Sequence, residues 1–120
     1  MNYRILFYES ATGKAPGEDF YNSLPVKERA KVARWITKLE DEGPNLPRPY
    51  ADKVRGKIRE LRIRFGNLRY RFFYFFSGRD IVITHGIKKL SDKIPESEIA
   101  RAEHMRLDFL SRLEEGLIEK

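Results

Sequence analysis

From the first residues the hydrophobic pattern has a period of two: Tyr3, Ile5 and Phe7 alternate with Asn2, Arg4 and Leu6 in a stretch rich in aromatic and branched side chains. This predicts a strand over residues 2–9, closed by the loop SATGKAPG. The period then changes. Pro16 supplies the fixed φ of a first helical turn, Glu18 and Asp19 sit near its positive dipole end, and Phe20 and Leu24 form its apolar side. After a break at Pro25, Val32, Ala33, Ile36 and Leu39 recur at helical spacing, so a second helix is predicted from about Val26 to Glu42, stopped by Gly43-Pro44.

Residues 43–56 (GPNLPRPYADKVRG) hold three prolines and no period, which predicts a connecting loop. From Lys57 the period returns to two: Ile58, Leu61 and Ile63 are punctuated by Arg59, Arg62 and Arg64, and Gly66-Asn67 turns the chain into LRYRFFYFF. A turn at Ser77-Gly78 leads to a strand from Asp80 to His85, completing a three-stranded meander that the N-terminal strand can join. Pro95, Glu96 and Glu98 open a last helix running to the C-terminus, with Ile99, Ala102, Met105, Phe109, Leu113 and Leu117 in steps of three or four. The order β-α-α-β-β-β-α predicts an α+β fold with a mainly antiparallel sheet, helices packed on one face and the other face free.

Composition narrows the class. A chain of 120 residues with 41% hydrophobic and 35% charged positions is expected to be one folded domain, 1–120. With no cysteine, disulfides and thiolate metal sites are excluded, which suits a reducing cytoplasm. There is no apolar run of membrane-spanning length and no signal segment, so a cytoplasmic protein without a membrane partner is expected. The net charge is +6, but eleven Lys or Arg against two acids lie between Lys53 and Lys89, leaving the rest of the chain at −3. A basic middle on a mildly acidic frame reads as a polyanion-binding surface on a scaffold, or as a solvated basic face.

Alternation gives the basic segment a direction. Arg62 and Arg64 point to one side of the first hairpin arm, and Arg69 and Arg71 begin one side of the second, whose other side holds Tyr70, Phe72 and Tyr74. Guanidinium forks suit phosphate oxygens and aromatic rings suit bases, so the hairpin from Leu61 to Phe76 is the candidate RNA surface. The competing reading makes the aromatics core. Lys88 and Lys89, placed in a loop after the last strand, would join Arg62, Arg64 and Arg71 around a phosphate, with Arg69, Lys57, Tyr70 and His85 as further RNA contacts. Such fixed cations would stabilise the dianionic phosphorane formed when an RNA 2′-hydroxyl attacks the adjacent phosphate. Neither His85 nor His104 has a metal-ligand or histidine-pair spacing, and no phosphate-cradling glycine loop is present, so no metal and no cofactor are expected.

These residues also carry a likeness. Glu60-Leu61-Arg62, Tyr70-Arg71-Phe72-Phe73-Tyr74 and His85-Gly86-Ile87-Lys88-Lys89 before a proline-started helix resemble, in order and spacing, the phage-derived HigB-like branch of the RelE/ParE toxin superfamily. The resemblance covers nearly the whole chain and implies a RelE-like fold. It further implies the toxin of a type II toxin–antitoxin pair, cutting mRNA on the ribosome without metal and neutralised by an antitoxin, commonly a helix-turn-helix protein. The basic catalytic positions of that family fall on Arg62, Arg64, Arg71 and Lys89. The chain departs from RelE-like enzymes in having no tyrosine after Tyr74, which leaves the general acid and base unassigned. Two other classes fit the same residues: a ParE-like inhibitor of DNA gyrase, and a non-catalytic nucleic-acid or partner-binding module.

Overall fold

Alternating segments become the strands of one twisted sheet. A computed structural model of the chain describes residues 3–89 and 93–118; Met1, Asn2, Leu90 to Asp92 and the last two residues lie outside them. The elements are β1 (Arg4–Phe7), α1 (Pro16–Ser23), α2 (Val26–Glu42), a short 3-10 turn (Gly43–Asn45), β2 (Ala51–Arg55), β3 (Ile58–Phe65), β4 (Leu68–Ser77), β5 (Asp80–Lys89) and α3 (Glu96–Glu114). The strand order is β1-β5-β4-β3-β2. All neighbours are antiparallel except β1, which runs parallel to β5. Parallel pairing needs a long crossover, and α1 through β4 supply it. This is the small α+β architecture of RelE-like proteins.

Helix limits follow local chemistry. Pro16 starts α1 and Pro25 sets off α2, where the missing N–H costs nothing. Gly43 ends α2 at φ 56°, and a Cβ there would lie 2.3 Å from the Tyr3 ring, so both backbone and packing demand glycine. Helix α3 stops at Glu114, short of the predicted C-terminus, and Gly116 follows at φ 76°.

Four expectations need correction. The proline-rich stretch 43–56 contains strand β2, paired with β3 from Ala51 opposite Leu61 to Arg55 opposite Ile58. Its three prolines all precede the pairing, so none removes a ladder hydrogen bond. The meander therefore has four strands rather than three. Strand β5 continues through Gly86 to Lys89, so Lys88 and Lys89 lie in the sheet and not in a following loop. Finally, the helices cover both faces. Val32 and Leu39 of α2 pack with Leu61, Ile63, Tyr70, Phe72, Tyr74, Ile81 and Ile83 on one side. On the other side Ala102, Met105 and Phe109 of α3 pack with Ile58, Phe73, Phe75 and Val82. A strand with apolar side chains in both directions needs two covers, which is why LRYRFFYFF is nearly continuous in hydrophobicity.

One close approach bears on the site. A Cβ on Gly86 would meet the Phe20 ring at 2.5 Å, so glycine lets α1 pack on β5 one residue from His85.

Candidate nucleic-acid interface

Residues directly opposite on antiparallel strands share a face, so pairing decides which cations meet. Arg62 opposes Arg71, and Arg64 opposes Arg69. Arg71 in turn opposes Ile87, and Arg69 opposes Lys89. Two cross-strand rows result, Arg62–Arg71 and Arg64–Arg69–Lys89, both on the α3 face and both toward the Gly66-Asn67 turn. The hydrophobic part of that face, with Phe73 and Phe75, lies further along β4 under α3.

Opposed like charges repel, and the inner row is held by a carboxylate. Glu60, one step along β3, accepts a hydrogen bond from Arg71 Nη1 on one oxygen and, at 2.9 Å, from Arg62 Nη2 on the other. Arg62 also lies 3.6 Å from Asp52 of β2, and Asp52 stands opposite Glu60. Glu60 is 2% exposed and Arg71 3%. A buried ion pair is stiff because both partners were desolvated to form it, and either left alone is expensive. Glu60 thus fixes the guanidinium planes of two arginines. Alternation places Glu60 with Arg62 and Arg64, but nothing in the sequence says that it bridges two strands.

The outer row is different. Arg64 is exposed, and among the described residues no carboxylate pairs with it. Arg69 and Lys89 are half-buried. Among the described residues the two rows bring five cations together, with the carboxylates Glu60 and Asp52 beside the inner one.

Other candidate residues lie elsewhere. Lys88 opposes Tyr70 and so belongs to the face covered by α1 and α2, away from Lys89. Tyr70 is fully buried, its ring 6.2 Å from that of Phe20, and cannot receive a base. Lys57 sits in the β2–β3 turn, at the opposite end of β3 from Arg64. His85 is 1% exposed and so offers no surface for direct RNA contact. Its ring stacks on Phe73 at 4.9 Å, and its Nδ1 and Nε2 lie 3.1 Å from Thr84 Oγ1 and Glu98 Oε1. With Glu98 as acceptor the neutral ring carries its proton on Nε2, and Nδ1 shares the one Thr84 hydroxyl proton with the Phe73 carbonyl, 3.3 Å from that hydroxyl.

Burial is the main cause holding the His85 pKa below its ordinary value, with Arg101 adding to it and Glu98 opposing. The neutral ring is thus favoured in the folded state. Its stabilising effect is fully present above the unfolded value of about 6.5 and is lost as pH falls from there toward the lower folded value. Chemical unfolding between pH 7.5 and 5.5 should show falling stability, and His85→Gln should flatten that slope. An unchanged slope in the variant would assign the titration to other groups.

A pocket of about 460 Å³ adjoins the cation rows. Its walls include Arg62, Arg64, Arg69 and Arg71 of the hairpin, Lys31 and Trp35 of α2, and Pro49 and Tyr50 ahead of β2. The last four are absent from the residue-pattern reading, since the helix and the proline-rich stretch carry no period-two signal. They arrive because β3 runs past the end of β2, leaving Arg62 to Phe65 at an edge. Lys31 Nζ donates to the Arg64 carbonyl there, and the Arg62 N–H donates to the Tyr50 carbonyl at 2.7 Å. Among the described residues no cluster of His, Cys, Asp or Glu is arranged for a metal ion, and no helix is long and apolar enough to cross a membrane.

With sheet order, helix placement and cationic end in view, the class of protein is a small RelE-like one. More particularly, the chain belongs to the phage derived protein Gp49-like family, whose model matches residues 19–106. That stretch runs from α1 to α3 and includes both cation rows. The family is RelE-like and is associated in general with the toxins of toxin–antitoxin systems. No curated protein matches the chain.

Proposed function

We propose that this protein is the toxin of a type II toxin–antitoxin pair, an endoribonuclease that cuts mRNA on the ribosome and is neutralised by a helix-turn-helix antitoxin. The observation that carries the reading is the pair of cation rows across β3, β4 and β5, one held by Glu60 and one ending in the exposed Arg64. In the reaction proposed, the RNA 2′-oxygen bonds to the adjacent phosphorus, the bond to the 5′-oxygen breaks, and a 2′,3′-cyclic phosphate remains. The proton leaves the 2′-hydroxyl and one is delivered to the 5′-oxygen. Arg64 and Lys89, with Arg69 between them, would face the phosphate and stabilise the dianionic phosphorane. Arg62 and Arg71, tied to Glu60, would set the shape and field of that site. No metal enters this scheme.

Adding the purified protein to a cell-free translation reaction should stop protein synthesis and shorten the mRNA, while DNA gyrase supercoiling in a parallel assay continues. Intact mRNA with blocked supercoiling would overturn the proposal in favour of a gyrase inhibitor.

A further inference from the structure

The pocket beside the arginines contains an aromatic pair for which phosphate neutralisation has no use. Tyr50 stacks on Trp35 with ring centroids 4.5 Å apart and planes at 23°. Trp35 is half-buried against the α2-side core, whereas Tyr50 is 41% exposed. One side of the tyrosine ring is thus backed by indole, while the residue keeps a large exposed fraction. Both ends of its backbone are fixed: its N–H donates to the Pro47 carbonyl at 3.0 Å, and its carbonyl accepts from the Arg62 N–H at 2.7 Å. The second bond couples the ring's position to the arginine-bearing strand.

We propose that Tyr50, backed by Trp35, is a stacking platform for a base of the bound RNA, next to a phosphate held by Arg64; this rests on the RNA-cutting reading above. An exposed aromatic side chain is ordinarily mobile and loses entropy on binding, but one already stacked and pinned at its backbone has lost most of it beforehand. Lys31, Arg62 and Arg64 line the same pocket, so a ring carrying an anionic neighbour suits it better than an uncharged apolar group. Its volume of about 460 Å³ lies in the range of small-ligand sites and accommodates a nucleotide unit rather than a folded partner. A stacking contact accepts any base face, so it would position the strand without imposing a strict sequence.

Trp35 is the only tryptophan in the chain, which makes its fluorescence a local reporter. The probes are two short 2′-O-methyl RNA oligomers that resist cutting, one with all its bases and one with abasic positions throughout. The wild-type protein should bind the base-bearing oligomer with a change in Trp35 emission. Tyr50→Ala should weaken that binding by about 5- to 150-fold, Tyr50→Phe should restore it, and neither change should alter binding of the abasic oligomer. Arg64→Ala should weaken both oligomers alike. If Tyr50→Ala binds both oligomers as the wild type does, the platform is wrong while the RNA-cutting reading stands. If the wild type binds neither, the RNA reading fails and the platform with it. Loss of partner-protein capture by Tyr50→Ala, with oligomer binding unchanged, would assign the ring to protein contact and overturn the inference.

Discussion

Glu60→Ala is expected to lower stability by up to about 3–5 kcal/mol, because it removes the buried carboxylate that ties Arg71 to Arg62. Arg71 loses its ion pair with Glu60 in the variant, while Arg62 still has Asp52 at 3.6 Å. For a domain of this size the loss corresponds to a fall in melting temperature of roughly 10–20 °C. Glu60→Gln retains the shape and one acceptor, so its loss should be smaller. Arg71→Ala should also destabilise, since it leaves Glu60 buried with Arg62 as its remaining partner among the described pairs. Thermal unfolding of the three variants checks this, and shifts of only a degree or two would mean that the bridge is dispensable. The consequence for activity is that failure of Arg71→Ala to cut RNA says little by itself: a folded, inactive protein must first be demonstrated.

Arg64 allows a cleaner separation. It is exposed and outside the Glu60 bridge, so Arg64→Ala should change stability by no more than about 0.5 kcal/mol. If it faces the phosphate, the same change should lower the cleavage rate by about 10²–10³-fold, the usual loss when one fixed donor to a transition-state oxyanion is removed. Arg64→Lys should recover only part, because an ammonium keeps the charge but not the two-pronged geometry. A wild-type cleavage rate in a folded Arg64→Ala protein would remove the outer row from the reaction.

Much of this was legible in the pattern of residues. Val26 and Glu42 bound α2 both in the periodicity and in the structure, and the alternation over Ile58 to Phe65 placed Arg62 and Arg64 on one side of β3. The charged side chains on that face are kept because Arg64 is exposed and the buried Glu60 meets Arg62 and Arg71. What stayed hidden has physical reasons. Strand β2 has only five residues and follows a run of prolines, so its period is too short to stand out. Lys88 and Lys89 look like a pair, yet neighbouring positions in a strand point to opposite faces, and only the pairing with Tyr70 and Arg69 reveals that the strand extends so far. The Glu60 bridge depends on register between β3 and β4, and Tyr50 meets Trp35 only through the tertiary fold.

The proposed RNA scission is identified most directly by its products. Messenger RNA from a translating extract treated with the protein should carry new ends within coding sequence, bearing 2′,3′-cyclic phosphate and blocked to ligation until the phosphate is removed. Arg64→Ala protein at the same concentration should leave those ends nearly absent. If translation stops while the mRNA remains whole, or if new ends form equally well with Arg64→Ala, the cation rows are not a ribonuclease site.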